Sequence, residues 1–271
     1  MSPELDLGAY LRRIGLQAVP AANRAGLEAL HFAHATTIPF ENLDIQMGLP
    51  IRLDLASLQA KLVDRRRGGY CFEHNTLFLA VLRALGFQAT PCEARVRLGL
   101  LGLRPRTHML LLVQMGAVRW LCDVGFGSEG LLHPVPLDGE AHAQFLSRFR
   151  VVEEGALRVL QSCHGGAWED LYAFVPEACL PIDFEVANHY TSTHPDSGFV
   201  KTLTAQVLGP EVRRSLRNRA YAEVRGDAVA GREVEPEEII PLLREVFAIE
   251  VPEGARFRAL AAEVVSLERR S

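Results

Sequence analysis

The sequence predicts an α+β fold in three successive units, and three observations carry that prediction. Apolar residues recur at helical offsets up to Gly86, short strand-like runs follow, and strands give way to helices again beyond Asn188. The units are expected at residues 1–86, 87–190 and 191–271.

In the first unit Leu5, Leu7, Tyr10, Leu11 and Ile14 keep helix-like spacing, as do Leu27, Leu30 and Phe32 and then residues 53–63 after Pro50. Residues 72–85 differ: they are apolar nearly all round apart from Glu73, His74, Asn75, Thr76 and Arg83, and Gly86 sits where a C-terminal cap belongs. Such a helix is expected to be buried between layers. In the second unit, residues 88–96, 108–115, 117–123, 149–160 and 168–174 read as strands of an antiparallel sheet or barrel. In the third, residues 199–208 and 220–224 read as strands. Two helices follow, at 236–247 with Pro236 at a permitted first-turn position, and at 255–270.

Composition excludes several function classes. The chain has 271 residues, 48% hydrophobic and 23% charged, with 22 Gly, 15 Pro and 5 Cys, which rules out disorder, a collagen-like chain and a small disulfide scaffold. The 29 basic and 33 acidic residues leave a formal charge of −4 and no basic block beyond Arg65-Arg66-Arg67, so no nucleic-acid partner is expected. Residues 1–10 carry Glu4 and Asp6 in place of a secretory signal, and apolar runs such as 77–82 are far shorter than a membrane span. A cytoplasmic protein with no membrane partner is expected, and a homo-oligomer is neither required nor excluded. Cys71, Cys92, Cys122, Cys163 and Cys179 contain no Cys-x2-Cys pair, and His31 and His34 lack partners at matching spacing. Neither a disulfide framework nor a metal site is therefore expected.

One cysteine has a distinctive setting. In Arg67-Gly68-Gly69-Tyr70-Cys71-Phe72-Glu73-His74-Asn75 the thiol stands where a Gly-Gly turn hands over to the buried helix. N–H groups and the helix dipole there favour an anionic sulfur, and the glycines can take backbone angles that bring the chain close to a ligand. Cys71 thus reads as a nucleophile, with a core thiol as the alternative. A base and an orienting group are then needed. If Met115-Gly116 form a two-residue hairpin turn, His108 stands directly opposite Asp123; if the turn is Gly116-Ala117, Asp123 faces Leu110 and lies one diagonal from His108. Both registers leave the two side chains on one face, where burial demands that they bond to each other. Asp123 can then set the imidazole's tautomer and stabilise its charged form. His74 is a rival base three residues after Cys71, but an imidazolium in the first turn opposes the dipole. Cys122 alternates to the opposite face of its strand and reads as core.

At these residues the chain resembles the arylamine N-acetyltransferase family. The resemblance rests on the Cys71 motif, Thr107-His108, Asp123-Val124-Gly125-Phe126-Gly127, Ile38-Pro39-Phe40-Glu41-Asn42-Leu43 and Tyr190-Thr191-Ser192-Thr193-His194-Pro195-Asp196-Ser197, in the family's order. It implies an N-terminal helical bundle, a central antiparallel β-barrel and a C-terminal α/β lid around a cysteine-protease-like catalytic core. It also implies ping-pong acetyl transfer through Cys71, His108 and Asp123, with acetyl-CoA as cosubstrate, a small aromatic amine or hydrazine as acceptor, and no tightly bound cofactor or metal. Phe40 and Phe126 match substrate-lining positions, and Thr107, Gly127 and Phe199 match positions near the CoA channel. Arg104 and Arg106 could meet CoA phosphates but read by default as surface arginines. Glu41 and Arg67 are expected to form an ion pair that holds the Gly-Gly turn, while His194 and Asp196 form a turn. The alternatives are an amide synthase of natural-product biosynthesis, a Cys-His-Asp hydrolase or transglutaminase-like enzyme, and a non-catalytic binding module.

Overall fold

A computed structural model describes residues 5–99, 102–127, 129–145, 147–226 and 228–260. Helix α1 (Leu7–Arg13) begins where the Asp6 carboxylate accepts the Ala9 N–H, and α2 (Arg24–Thr37) where Asn23 accepts that of Gly26. Strand β1 (Phe40–Glu41) and α3 (Leu43–Gln46) follow, then α4 (Leu55–Leu58), capped by Asp54. The helix expected over 53–63 changes character midway, because Gln59–Asp64 forms a π-helical turn. Lys61, in that turn, is buried with its ammonium between two carboxylates. Helix α5 (Cys71–Ala84) is buried as expected: Phe72, Leu77, Phe78, Val81 and Leu82 are 0% exposed. Each such side chain contributes about 1.5–3 kcal/mol through burial. Gly86, at φ +87°, ends the helix.

Strands β2 (Gln88–Val96), β3 (His108–Met115), β4 (Val118–Cys122), β5 (Val135–Pro136), β6 (His142–Gln144), β7 (Ser147–Glu154), β8 (Leu157–His164) and β9 (Ala167–Phe174) form one antiparallel sheet. Its order is β5-β4-β3-β2-β9-β8-β7-β6, curled into a nearly closed barrel. The single strand expected at 149–160 is instead the β7–β8 hairpin. Gly155, at φ +60°, permits the tight reversal, so the two apolar halves pair with each other, Glu154 opposite Leu157. Strand β3 is apolar on both faces for a reason: Met109, Leu111 and Val113 pack on the helical unit, whereas Leu110 and Leu112 fill the barrel. His108 shares the barrel-facing parity, and Cys122 packs with Trp120 on the helical side.

Helix α6 (Pro181–Thr193) leads to α7 (Gly198–Lys201), β10 (Thr204–Leu208), β11 (Arg213–Arg217), β12 (Ala220–Arg225), β13 (Ala228–Glu233) and α8 (Ile239–Glu245). The strand expected from 199 begins only at Thr204, because Ser197 caps α7 by accepting the Phe199 N–H. Pro236–Glu238 forms a 3-10 turn ahead of α8. Of the helix expected at 255–270, residues 258–260 are helical and 261–270 lie outside the described residues. The second sheet runs β1-β10-β11-β12-β13, so a strand of the first unit completes it. The expected division after residue 86 falls in a turn, and that after residue 190 falls inside α6. We propose that the three units are interlocked layers of one fold. No helix among the described residues is long and apolar enough to cross a membrane.

Candidate active site

Close approach shapes the main chain before Cys71. Neither Gly68 nor Gly69 takes a positive φ, so the expectation of special backbone angles is not met; the glycines supply room instead. A Cβ on Gly68 would lie 1.9 Å from the Pro39 carbonyl oxygen, and one on Gly69 2.8 Å from the Glu73 Cβ. Into that room β1 settles, with the Glu41 N–H donating to the Gly69 carbonyl at 2.7 Å. The expected Glu41–Arg67 pair, at 2.8 Å, belongs to a larger buried network. Arg67 also meets Asp44 at 2.9 Å, and Lys61 meets both Asp44 and Glu73 at 2.7 Å. Burial pushes the Glu73 carboxyl up to about 7 against the pull of Lys61, and its Oε2 accepts the Tyr70 N–H at 3.1 Å. Cys71 is the first residue of α5, 3% exposed, with Sγ 3.7 Å from the Thr107 carbonyl oxygen.

His108 opens β3, and Asp123 follows β4. Met115 pairs with Val118 and Leu111 with Cys122, so the turn is Gly116-Ala117, the second of the two registers considered. Gly116, at φ +58°, takes the left-handed conformation that such a turn requires. Asp123 therefore sits one residue past the ladder, diagonal to His108, and its Oδ2 is 2.6 Å from His108 Nε2. Burial opposes a charged imidazole, but the charge and hydrogen bond of Asp123, with a hydrogen bond to Cys71, hold His108 up at about 10. Burial also pushes Asp123 upward, and the His108 charge with hydrogen bonds from Asn75 and Gly125 holds it below the usual carboxylate range. With Nε2 on Asp123, ring nitrogen Nδ1 is left for Cys71.

Three residues that sequence reasoning missed complete this arrangement. Asn75, one helical turn after Cys71, donates to Asp123 Oδ1 at 3.0 Å and to the Met109 carbonyl at 2.8 Å, and accepts the Val124 N–H at 3.3 Å. Its i+4 spacing from Cys71 was the available signal. Tyr172, on β9, donates its hydroxyl to Asp123 Oδ2 at 2.9 Å. Burial raises that phenol far above its ordinary range, so it remains a donor. Gly125 packs against the nucleophile's own backbone: a Cβ there would lie 2.8 Å from Cys71 Cα, where the main chain cannot yield.

The other expected residues surround this centre. Phe126 meets the His108 ring edge-on at 5.0 Å. Phe40 lies 5.9 Å from Phe199, which in turn meets Tyr70 at 5.5 Å, making a continuous aromatic wall. Gly127, at φ +88°, stands against Gln206 and Phe40. Arg104 and Arg106 are exposed. An open pocket of about 400 Å³ has Thr107, Arg106, Glu93 and Tyr190 in its walls. A larger cavity of about 880 Å³, between α6 and residues 50–54, is lined by none of the triad. His74 is no base for Cys71, because its nitrogens bond His34 at 2.9 Å and the Pro39 carbonyl at 3.1 Å, and burial drives it down to about 4. All five cysteines are free, and burial pushes Cys122 up and Cys92 up to about 12. His194 accepts the Asp196 N–H within a turn. Among the described residues no cluster of His, Cys, Asp or Glu is arranged to hold a metal.

A family model described as N-acetyltransferase matches residues 25–256. The arylamine N-acetyltransferase of Mycolicibacterium smegmatis is 42% identical over 231 residues, covering 83% of this chain and 84% of that one. An X-ray structure of an N-arylamine acetyltransferase from Mycobacterium smegmatis superposes with a TM-score of 0.90 at 38% identity, covering 96% and 98% of the two chains. The Mycobacterium marinum arylamine N-acetyltransferase in complex with CoA gives a TM-score of 0.88 at 33% identity, covering 96% and 98%.

Proposed function

This chain belongs to the arylamine N-acetyltransferase family, and from that premise we propose that it transfers an acetyl group from acetyl-CoA to an arylamine, arylhydrazine or N-hydroxyarylamine through an acetyl-Cys71 intermediate. The observation that carries this reading is the buried pair in which Asp123 Oδ2 holds His108 Nε2 at 2.6 Å, which leaves the ring's other nitrogen for Cys71.

His108, held at about 10, is an imidazolium near neutral pH and the counter-charge for a sulfur anion on Cys71. The sulfur attacks the thioester carbonyl, and the Cys71 N–H at the start of α5, free of helical partners, faces the developing oxyanion. The carbonyl to CoA-sulfur bond breaks, and CoA leaves with the proton that His108 releases. The acceptor nitrogen then attacks acetyl-Cys71, neutral His108 takes its proton, and the Cys71 sulfur departs as an anion. Asp123 keeps the ring oriented in both halves, and Tyr172 and Asn75 keep Asp123 oriented. Phe126 and the wall of Phe40, Phe199 and Tyr70 suit a flat acceptor. The acetyl donor approaches along Thr107, Gly127 and Phe199, of which Thr107 also lines the open pocket of about 400 Å³. The protein works in the cytoplasm, where its cysteines stay reduced.

Purified protein mixed with acetyl-CoA and no amine should gain the mass of one acetyl group. The gain should vanish in Cys71→Ser and on addition of an arylamine. No acetylation at any pH would sink the proposal, and discharge by water as fast as by amine would favour the hydrolase alternative.

A further inference from the structure

We infer that His31 is a positioning residue for Asp123: reaching from α2 into the β unit, its imidazole clamps the Asp123 main chain and so sets how the carboxylate meets His108. The inference rests on the triad proposed above. Asp123 stands one residue beyond Cys122, the last paired residue of β4, where the ladder no longer holds the main chain. Its N–H needs a partner in a region with no access to water, and that partner is His31 Nε2 at 3.1 Å. A backbone N–H only donates, so Nε2 carries the lone pair and Nδ1 carries the proton. Nδ1 then donates to the Leu132 carbonyl at 3.1 Å, which ties down the chain beyond Gly130 as well. The tautomer is thereby dictated at both ends of the ring.

Three further observations support the role. His31 is 0% exposed and its ring meets Phe78 of α5 edge-on at 5.9 Å, so the imidazole cannot swing aside. Burial drives its pKa down to about 4, which keeps Nε2 unprotonated and able to accept near neutral pH. The carboxylate oxygens already hold Tyr172, His108, Asn75 and the Gly125 N–H, so what His31 adds is the hold on the Asp123 N–H. Of these partners only His31 and Asn75 come from the helical unit that carries Cys71. The two thus register the nucleophile's layer against the carboxylate's.

Two conservative variants separate positioning from packing. In His31→Gln the side-chain oxygen reaches the place of Nε2 and can still accept from Asp123. In His31→Asn the amide nitrogen reaches the place of Nδ1 and can still donate to Leu132, but the Asp123 N–H is left bare. His31→Asn should slow Cys71 acetylation at saturating acetyl-CoA by on the order of ten-fold or more, with KM within about two-fold, and His31→Gln should stay within about three-fold. Hydrogen exchange at the Asp123 amide should accelerate in His31→Asn only. Equal losses in the two variants that track their Tm, or an unimpaired His31→Asn, would overturn the inference. If neither variant folds, the wild type decides: a scalar coupling across the hydrogen bond from the Asp123 amide to an imidazole nitrogen supports it, and a fast-exchanging, uncoupled amide overturns it. Failure of the wild type to acetylate would count against the proposed function, and the amide measurement would still stand for His31.

Discussion

Two sets of buried imidazoles meet around Cys71 and Asp123, and they end in opposite charge states. His108 is 2% exposed, and His31, His34 and His74 are 0% exposed, so burial opposes the charged form in all four. The difference is the partner. His108 has a carboxylate oxygen at 2.6 Å and is held at about 10. The others have carbonyls, a backbone N–H, a phenol or another imidazole as partners, and burial takes His31 and His74 to about 4 and His34 well below its ordinary value. Within the neutral set, His34 and His74 form a strut whose proton positions follow from one end. The Pro39 carbonyl only accepts, so His74 donates from Nε2; His34 Nε2 then donates to His74 Nδ1, and the Tyr10 hydroxyl donates to His34 Nδ1 at 2.8 Å. Burial sets the default for a histidine here, and one anion reverses it.

Removing the anion should erase the difference. Asp123→Asn keeps the shape but loses the charge, and the rate of acetyl-Cys71 formation, followed by intact mass, should fall on the order of 10³–10⁴-fold. A loss smaller than about ten-fold would mean that the carboxylate is not what sets His108 apart. Stability should show the same contrast as two limbs of opposite slope. His108 binds its proton more tightly folded than unfolded, so its contribution is complete below about pH 6.5 and drains away as pH rises toward 10, by up to about 1.4 kcal/mol per pH unit. His31 and His74 do the reverse: their contribution is complete above about pH 6.5 and is lost as pH falls toward 4. Urea unfolding across this range should show both limbs, and His108→Gln should flatten only the alkaline one. An alkaline limb unchanged in that variant would assign it to other groups.

How much of this was legible in the sequence varies from element to element. Helix α5 was readable because its residues are apolar nearly all round, and the Cys71 setting because the Gly-Gly turn adjoins it. The proximity of His108 and Asp123 survived an ambiguous turn, since both registers keep the pair on one face. Tyr172 was not readable: it approaches Asp123 only because β9 pairs with β2 on the side away from β3, a long-range choice no local pattern encodes. His31 and Asn75 act across the contact between layers, and α2 by itself reads as a surface-packed helix with two incidental histidines. The π turn that houses Lys61, and the role of Gly68 and Gly69 as space and not as turn geometry, likewise depend on what packs against them.

The central claim is that Asp123 keeps His108 charged while equally buried neighbours stay neutral. Ring ¹⁵N shifts of the histidines in the wild-type protein at about pH 8, midway between the free imidazole value and that held by His108, test it most directly. The account predicts His108 protonated on both nitrogens and His31, His34 and His74 each protonated on one. A bare nitrogen on His108 at that pH, beside an intact Asp123, would contradict it.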